Sequence, residues 1–156
     1  PFILLAMILI TVLGNGVMNV ILAIGIASVP GFARVTRGQV LIVKEEEYCN
    51  ACRVVGVSPV RLLFLHILPN CVSQIIVYAT LRIASAIISE ASLSFLGLGI
   101  ALPTASWGSI LRVGRDCLTT APHVAGTAGA FILVTVIGFN LLGDGIRDVM
   151  DPKMKQ

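Results

Sequence analysis

The chain has 156 residues, of which 56% are hydrophobic and only 12% charged. A soluble domain carries about a quarter charged residues, so this composition, with a mean hydropathy of +0.96, excludes an ordinary soluble globule and points to a protein that crosses a membrane several times. The net charge of +3 is the balance of 11 Lys and Arg against 8 Asp and Glu, and the basic residues are scattered and form no run, which gives no footprint for nucleic acid.

In chain order, residues 1–33 carry no charge, and Gly14-Asn15-Gly16 divides them with a turn signal. Residues 1–13 are too short for a hydrocarbon core that needs ~20 residues and read as part of a span. The chain starts at Pro1 with no charged leader, so this run is not a signal peptide, and the expectation is a piece of a longer protein cut inside an apolar segment. The next span is read at 17–36, with Pro30 expected to kink the helix or end it near the interface. A polar segment follows, its core at 44–69, in which Ser58-Pro59 predicts a new helix with Ser58 as N-cap and Pro59 in the first turn. That gives two short helices joined at Gly56-Val57-Ser58. Further spans are read at 70–96 and 121–142. Between them lies a loop, 97–120, with room for one short helix; a polar tail occupies 143–156. The fold class is therefore all-α, a polytopic membrane protein in one transmembrane domain over 1–156.

Basic residues set the orientation. If the spans alternate, the polar segment and the tail share one side, which holds Arg34, Arg37, Lys44, Arg53, Arg61, Arg147, Lys153 and Lys155; the other side holds only Arg112 and Arg115. Positive residues mark the cytoplasm, so the 44–69 segment and the C-terminus are expected there, and Trp107 anchors the opposite loop at the headgroups.

The polar segment carries a spaced pattern: Asn50-Ala51-Cys52, three residues, Gly56, nine residues, His66, one residue, Leu68-Pro69. It resembles the cytoplasmic loop of bacterial ABC importer permeases, whose pattern is Glu-Ala-Ala, Gly, Ile and Leu-Pro at this spacing. Asn50, Cys52 and His66 depart from it. Arg37-Gly38-Gln39-Val40-Leu41, His66-Ile67-Leu68-Pro69-Asn70, Glu90-Ala91-Ser92-Leu93-Ser94-Phe95-Leu96-Gly97-Leu98-Gly99, Ser106-Trp107-Gly108 and Phe139-Asn140-Leu141-Leu142-Gly143-Asp144-Gly145 are similar to the dipeptide, oligopeptide and nickel branch of that family, most of all to its second permease subunit. The resemblance covers the whole chain. It implies the ABC importer type I permease fold, with about four of six transmembrane helices here at ~20 residues each.

The same resemblance implies a bacterial inner-membrane permease that forms the pathway for peptides or nickel. Its implied partners are two ABC ATPase subunits, a second permease, an extracytoplasmic substrate-binding protein and the bilayer. ATP and Mg would be bound by the ATPases, with no cofactor in this chain. The ATPase-coupling residues it implies are Asn50, Ala51, Cys52, Gly56, His66, Leu68 and Pro69. The physical sense is direct. Small Ala51 and Cys52 allow close backbone approach, Gly56 a tight reversal, and Leu62, Leu63, Leu65 and Leu68 an apolar side that anchors the second helix. Pro69 and Asn70 are expected to begin the next span, so displacement by a closing motor passes into the membrane. The alternative is a membrane-embedded scaffold or enzyme without transport. A fragment lacking spans and a partner surface is not expected to be a stable transporter.

Arg82 and Glu90 are the charges within membrane reach, and such residues mark pathways or gates by default. Eight residues on a helix span ~12 Å, too far for a direct pair, which leaves two readings: a polar pathway or gate at Arg82 and Glu90, or Arg82 paired with another span or a missing partner and Glu90 near the outer interface, the reading favoured for Glu90. Cys49-Asn-Ala-Cys52 with His66 makes an incomplete metal site, and no metal ligand or catalytic residue is assigned; Cys71 and Cys117 add none. Small residues (Ala84, Ser85, Ala86, Ser89 and Ala91, then Gly126, Ala128, Gly129 and Ala130) permit close helix packing. His123 reads as interfacial. Asp144, Asp148 and Asp151 read as caps of a short helix in the tail.

Overall fold

The structure, a computed structural model, describes residues 1–100 and 103–150, and among these every regular element is helical. The helices are α1 (Phe2–Leu13), α2 (Val17–Val43), α3 (Glu47–Val54), α4 (Pro59–Leu62), α5 (Leu68–Phe95), α6 (Trp107–Asp116) and α7 (Pro122–Met150), with a π-helical turn, Leu63–Ile67, joining α4 to α5 without a break. Three stretches are long and apolar enough to cross a membrane: Val17–Val43, Pro59–Phe95 and Pro122–Met150. With 12 residues, α1 is shorter.

Two compact units divide the chain. The first combines Pro1–Val29 with Arg82–Leu141. Its core is Ala6 and Ile10 of α1, Val20, Ala23 and Ala27 of α2, and Leu93 of α5. The α2 positions recur at helical spacing on one stripe, and two of the three are alanine, which lets apolar helices approach closely. Of the small residues singled out in the sequence, Ala84, Ser89, Ala91 and Ala128 are buried, whereas Gly126 and Ala130 on α7 are exposed.

The second unit combines Pro30–Leu81 with the chain from Leu142 onward. Its core is Cys49, Leu62, Ile67 and Cys71, with Val40, Val43, Cys52, Val57 and Ile75 packed around it. Phe32 meets Tyr78 edge-on at 4.9 Å, Gly143 lies against Thr80 and Leu81, and Ser73 Oγ donates to the Met150 carbonyl at 3.3 Å.

The helices outrun their predicted ends. Pro30 does not end α2, which continues through it to Val43. A proline takes its own N–H out of the ladder and crowds the carbonyl four residues back, a local cost that the rest of α2 outweighs, and Arg34 and Arg37 end the apolar run without ending the hydrogen bonding. Pro69 likewise does not begin a helix; the helix is already running from Pro59. Among its described residues the tail forms no separate short helix either. α7 runs on to Met150, carrying Asp144 and Asp148 as exposed residues of its last turns rather than as caps. Gly143 and Gly145 each cost the helix about 1 kcal/mol, but Gly143 is packed and no proline intervenes. Asp151, Pro152, Lys153 and Lys155 lie outside the described residues.

Candidate functional site

The two helices of the polar segment meet where the sequence places the join. α3 opens with Glu47 in its first turn and closes with Arg53 in its last, each charge matched to the helix dipole. It ends in a Schellman motif. Gly56 N–H donates to the Arg53 carbonyl and Val57 N–H to the Cys52 carbonyl, both at 3.0 Å. Gly56 has φ +82°, and a Cβ there would meet nothing within 4 Å. This glycine is needed for its backbone conformation, not for space. Ser58 occupies the N-cap position with extended backbone, and Pro59 opens α4, but the Ser58 side chain makes no capping bond.

The π-helical turn then sets the register. The Leu68 N–H bonds to the Leu63 carbonyl, five residues back rather than four. The widened turn sits just ahead of Pro69, which has no N–H to give and whose ring clashes with the carbonyl four residues earlier in a regular helix. It also puts Leu62, Ile67 and Cys71 together on the buried face. The predicted apolar side is therefore different in membership. Leu62 and Ile67 anchor the helix, while Leu63 and Leu65 are exposed and Leu68 is half-buried.

Each of the implied coupling residues has a definite place. Asn50 and Ala51 are exposed on α3, and Cys52 is half-buried against the core. The Asn50 Oδ1 accepts from Arg53 Nη1 at 2.6 Å, and Arg53 Nη2 donates to the Lys44 carbonyl at 3.0 Å. Arg53 thus clips α3 to the end of α2, a role the sequence reading missed, although a spacing of three puts Asn50 and Arg53 on one helix face. His66 is half-buried in the π-helical turn, with its carbonyl accepting from Asn70 Nδ2 at 2.7 Å. Pro69 is exposed. The Gly56 turn brings together α3, α4 and three strongly exposed valines that the sequence did not single out: Val54 (89%), Val55 (82%) and Val60 (67%). Cys49 is fully buried, its Sγ donating to the Val43 carbonyl at 3.3 Å.

In the first unit, Arg82 and Glu90 are held separately. Arg82 Nη2 donates to Ser28 Oγ on α2 at 3.3 Å, and the guanidinium lies 4.6 Å from the ring centre of Phe2 on α1. Its Nε is buried and has no hydrogen-bond partner among the described residues. Glu90 Oε1 accepts from Ser94 Oγ at 2.6 Å, and that hydroxyl accepts the Ile100 N–H at 3.0 Å. Glu90 therefore ties the chain leaving α5, and it also lines a cavity of about 430 Å³ with Trp107, Ser106 and Ile110. Trp107 stacks on Phe131, with centroids 6.4 Å apart, and Ser106 and Ser109 form a reciprocal capping box at the start of α6. His123 is exposed.

An all-helical chain with three stretches long and apolar enough to cross a membrane, and a paired-helix turn whose spacing resembles that of ABC importer permeases, points to a class, a membrane component of a transport system. The chain belongs to the family described as binding-protein-dependent transport system inner membrane component, which matches residues 1–156. It is similar to the glutathione transport system permease protein GsiD of Salmonella paratyphi A, at 50% identity over 155 residues, which cover 99% of this chain and 51% of the relative. Proteins of the same description from Salmonella typhimurium and Shigella flexneri serotype 5b match with the same identity and coverage. The chain spans about half the length of the curated relatives it matches. The resemblance read from the motifs, and the fold class with it, is borne out.

Proposed function

We propose that this chain is part of the transmembrane permease of an ABC importer. It lines the translocation pathway and couples ATP hydrolysis by partner subunits to transport. The observation that carries the reading is the α3–Gly56–α4 turn, which is exposed at Asn50, Ala51, Val54, Val55 and Val60 and continuous through α4 with a helix of 37 residues. A motor domain seated on that turn moves a helix that has no break between Pro59 and Phe95. Asn50, Ala51, Cys52 and Gly56 form its contact segment, and His66, Leu68 and Pro69 the start of its lever.

Orientation follows the basic residues. Arg34, Arg37, Lys44, Arg53, Arg61 and Arg147 all belong to the second compact unit, whereas Arg112 and Arg115 belong to the first. That bias supports a cytoplasmic coupling segment and C-terminus in a bacterial inner membrane. The assembly needs two ATPase subunits that bind ATP and Mg, a second permease and an extracytoplasmic binding protein. The substrate is a small peptide; the glutathione named for the relatives favours this over nickel. In this reading Glu90 holds the chain after α5 rather than acting as a gate.

The test is co-purification and uptake with the full-length protein, co-expressed with its candidate partners. The reading expects the ATPase to be captured through the tagged permease and proteoliposomes to take up glutathione or a dipeptide only with ATP inside. A permease that never retains an ATPase, with no ATP-dependent uptake of peptide or nickel, supports the scaffold alternative instead.

A further inference from the structure

Arg82 lies near the middle of α5, within a stretch apolar enough to cross a membrane. A guanidinium has five N–H donors and cannot shed its charge. Among the described residues this one has a single hydrogen bond, 3.3 Å to the neutral Ser28 hydroxyl, and one aromatic face, Phe2, at 4.6 Å. Its Nε is buried and unpartnered. The ion pairs among the described residues are Lys44 with Glu45 and Arg115 with Asp116, so no carboxylate there lies within bonding distance of Arg82. Phe2 and Ser28 hold the side chain in place but do not balance its charge. An intramembrane cation held this way is costly unless an anion meets it, and a carboxylate is the anion whose two oxygens match the planar fork.

We propose that Arg82 is a carboxylate-binding residue within the membrane. This rests on the permease reading and deepens it. The carboxylate is either the C-terminal group of the peptide in transit or a side chain of the assembled transporter.

The experiment uses the full-length assembly in proteoliposomes, with a peptide and its C-terminal amide, both first shown to saturate the binding protein. For a substrate carboxylate, the wild type takes up the acid faster than the amide. Arg82→Gln then lowers acid uptake at least about tenfold, to the level of the amide, as loss of a charge-assisted hydrogen bond requires, while Arg82→Lys keeps part of the preference. For a carboxylate of the assembly, the wild type treats the two peptides alike. Arg82→Gln then slows both and lowers the melting temperature of the complex, and Arg82→Lys restores part of each. Wild-type uptake and melting in Arg82→Gln, or slowed uptake of both peptides with unchanged melting, overturns the proposal. In either of those cases the assembly without the substitution still transports peptide, so the permease reading stands; an unsubstituted assembly that transports neither peptide defeats that reading instead.

Discussion

α3 and α5 end in the same backbone motif and are surrounded very differently. At the end of α5, Gly97 has φ +84°, its N–H donates to the Ser94 carbonyl, and the Leu98 N–H reaches back to the Leu93 carbonyl. This is the same Schellman pattern that Gly56 makes after α3. Around Gly97 the space is filled. A Cβ there would lie 2.5 Å from Arg112 Nη1, one on Gly108 would lie 2.5 Å from the Ala91 carbonyl oxygen, and Ser94 is bonded to both Glu90 and Ile100. Around Gly56 there is nothing within 4 Å, and the neighbouring valines stand out from the surface. The α5 turn is a fastening, closed by its own chain. The α3 turn has a fixed backbone and an open surface, which is what a partner's docking site requires.

Substitutions can break this contrast. The largest effect is expected at Gly108→Val, where backbone rather than a movable side chain blocks the new atoms. The full-length protein in detergent should lose about 3 kcal/mol in a denaturation series. Gly56→Ala meets no atoms but must hold a left-handed backbone, so the loss should be about 1–2 kcal/mol, and smaller for Gly56→Asn. Similar losses for Gly108→Val and Gly56→Ala would erase the distinction. Ser106→Ala removes half of the α6 capping box, and a melting series should show a cost of about 1 kcal/mol. Val54→Asp, on the open surface, should change stability by no more than about 0.5 kcal/mol and yet reduce the ATPase retained on the tagged assembly. Unchanged retention would mean that the exposed valines are not part of the docking surface.

The open turn was legible in the sequence, and the reasons are local. Gly56 three residues after Cys52 and the Ser58-Pro59 pair fix where one helix stops and the next starts, as Gly14-Asn15-Gly16 does between α1 and α2. Continuity was harder to read. Pro69 signals a break on its own, and the helix passes it with a π-helical turn just ahead, a matter of backbone register that hydropathy does not encode. Arg34 and Arg37 end the apolar run of α2 but not the helix, which continues to Val43, because solubility and helicity are separate properties. The surroundings of Arg82 were not legible in detail, since Phe2 and Ser28 come from two other helices. The tie from Glu90 to Ser94 has the spacing of four that helix neighbours use and could have been read from it.

The central claim is that force enters at the Gly56 turn and leaves along the helix from Pro59. The most direct measurement is the ratio of peptide transported to ATP hydrolysed for Gly56→Pro in the reconstituted full-length assembly. Proline cannot take φ +82° and has no N–H for the Arg53 carbonyl, so the turn must change while α5 and α7 keep their own sequence. The account predicts that the variant inserts in the membrane and that ATP is still hydrolysed, with uptake per ATP falling at least about tenfold. A variant that imports peptide at the wild-type ratio would contradict it.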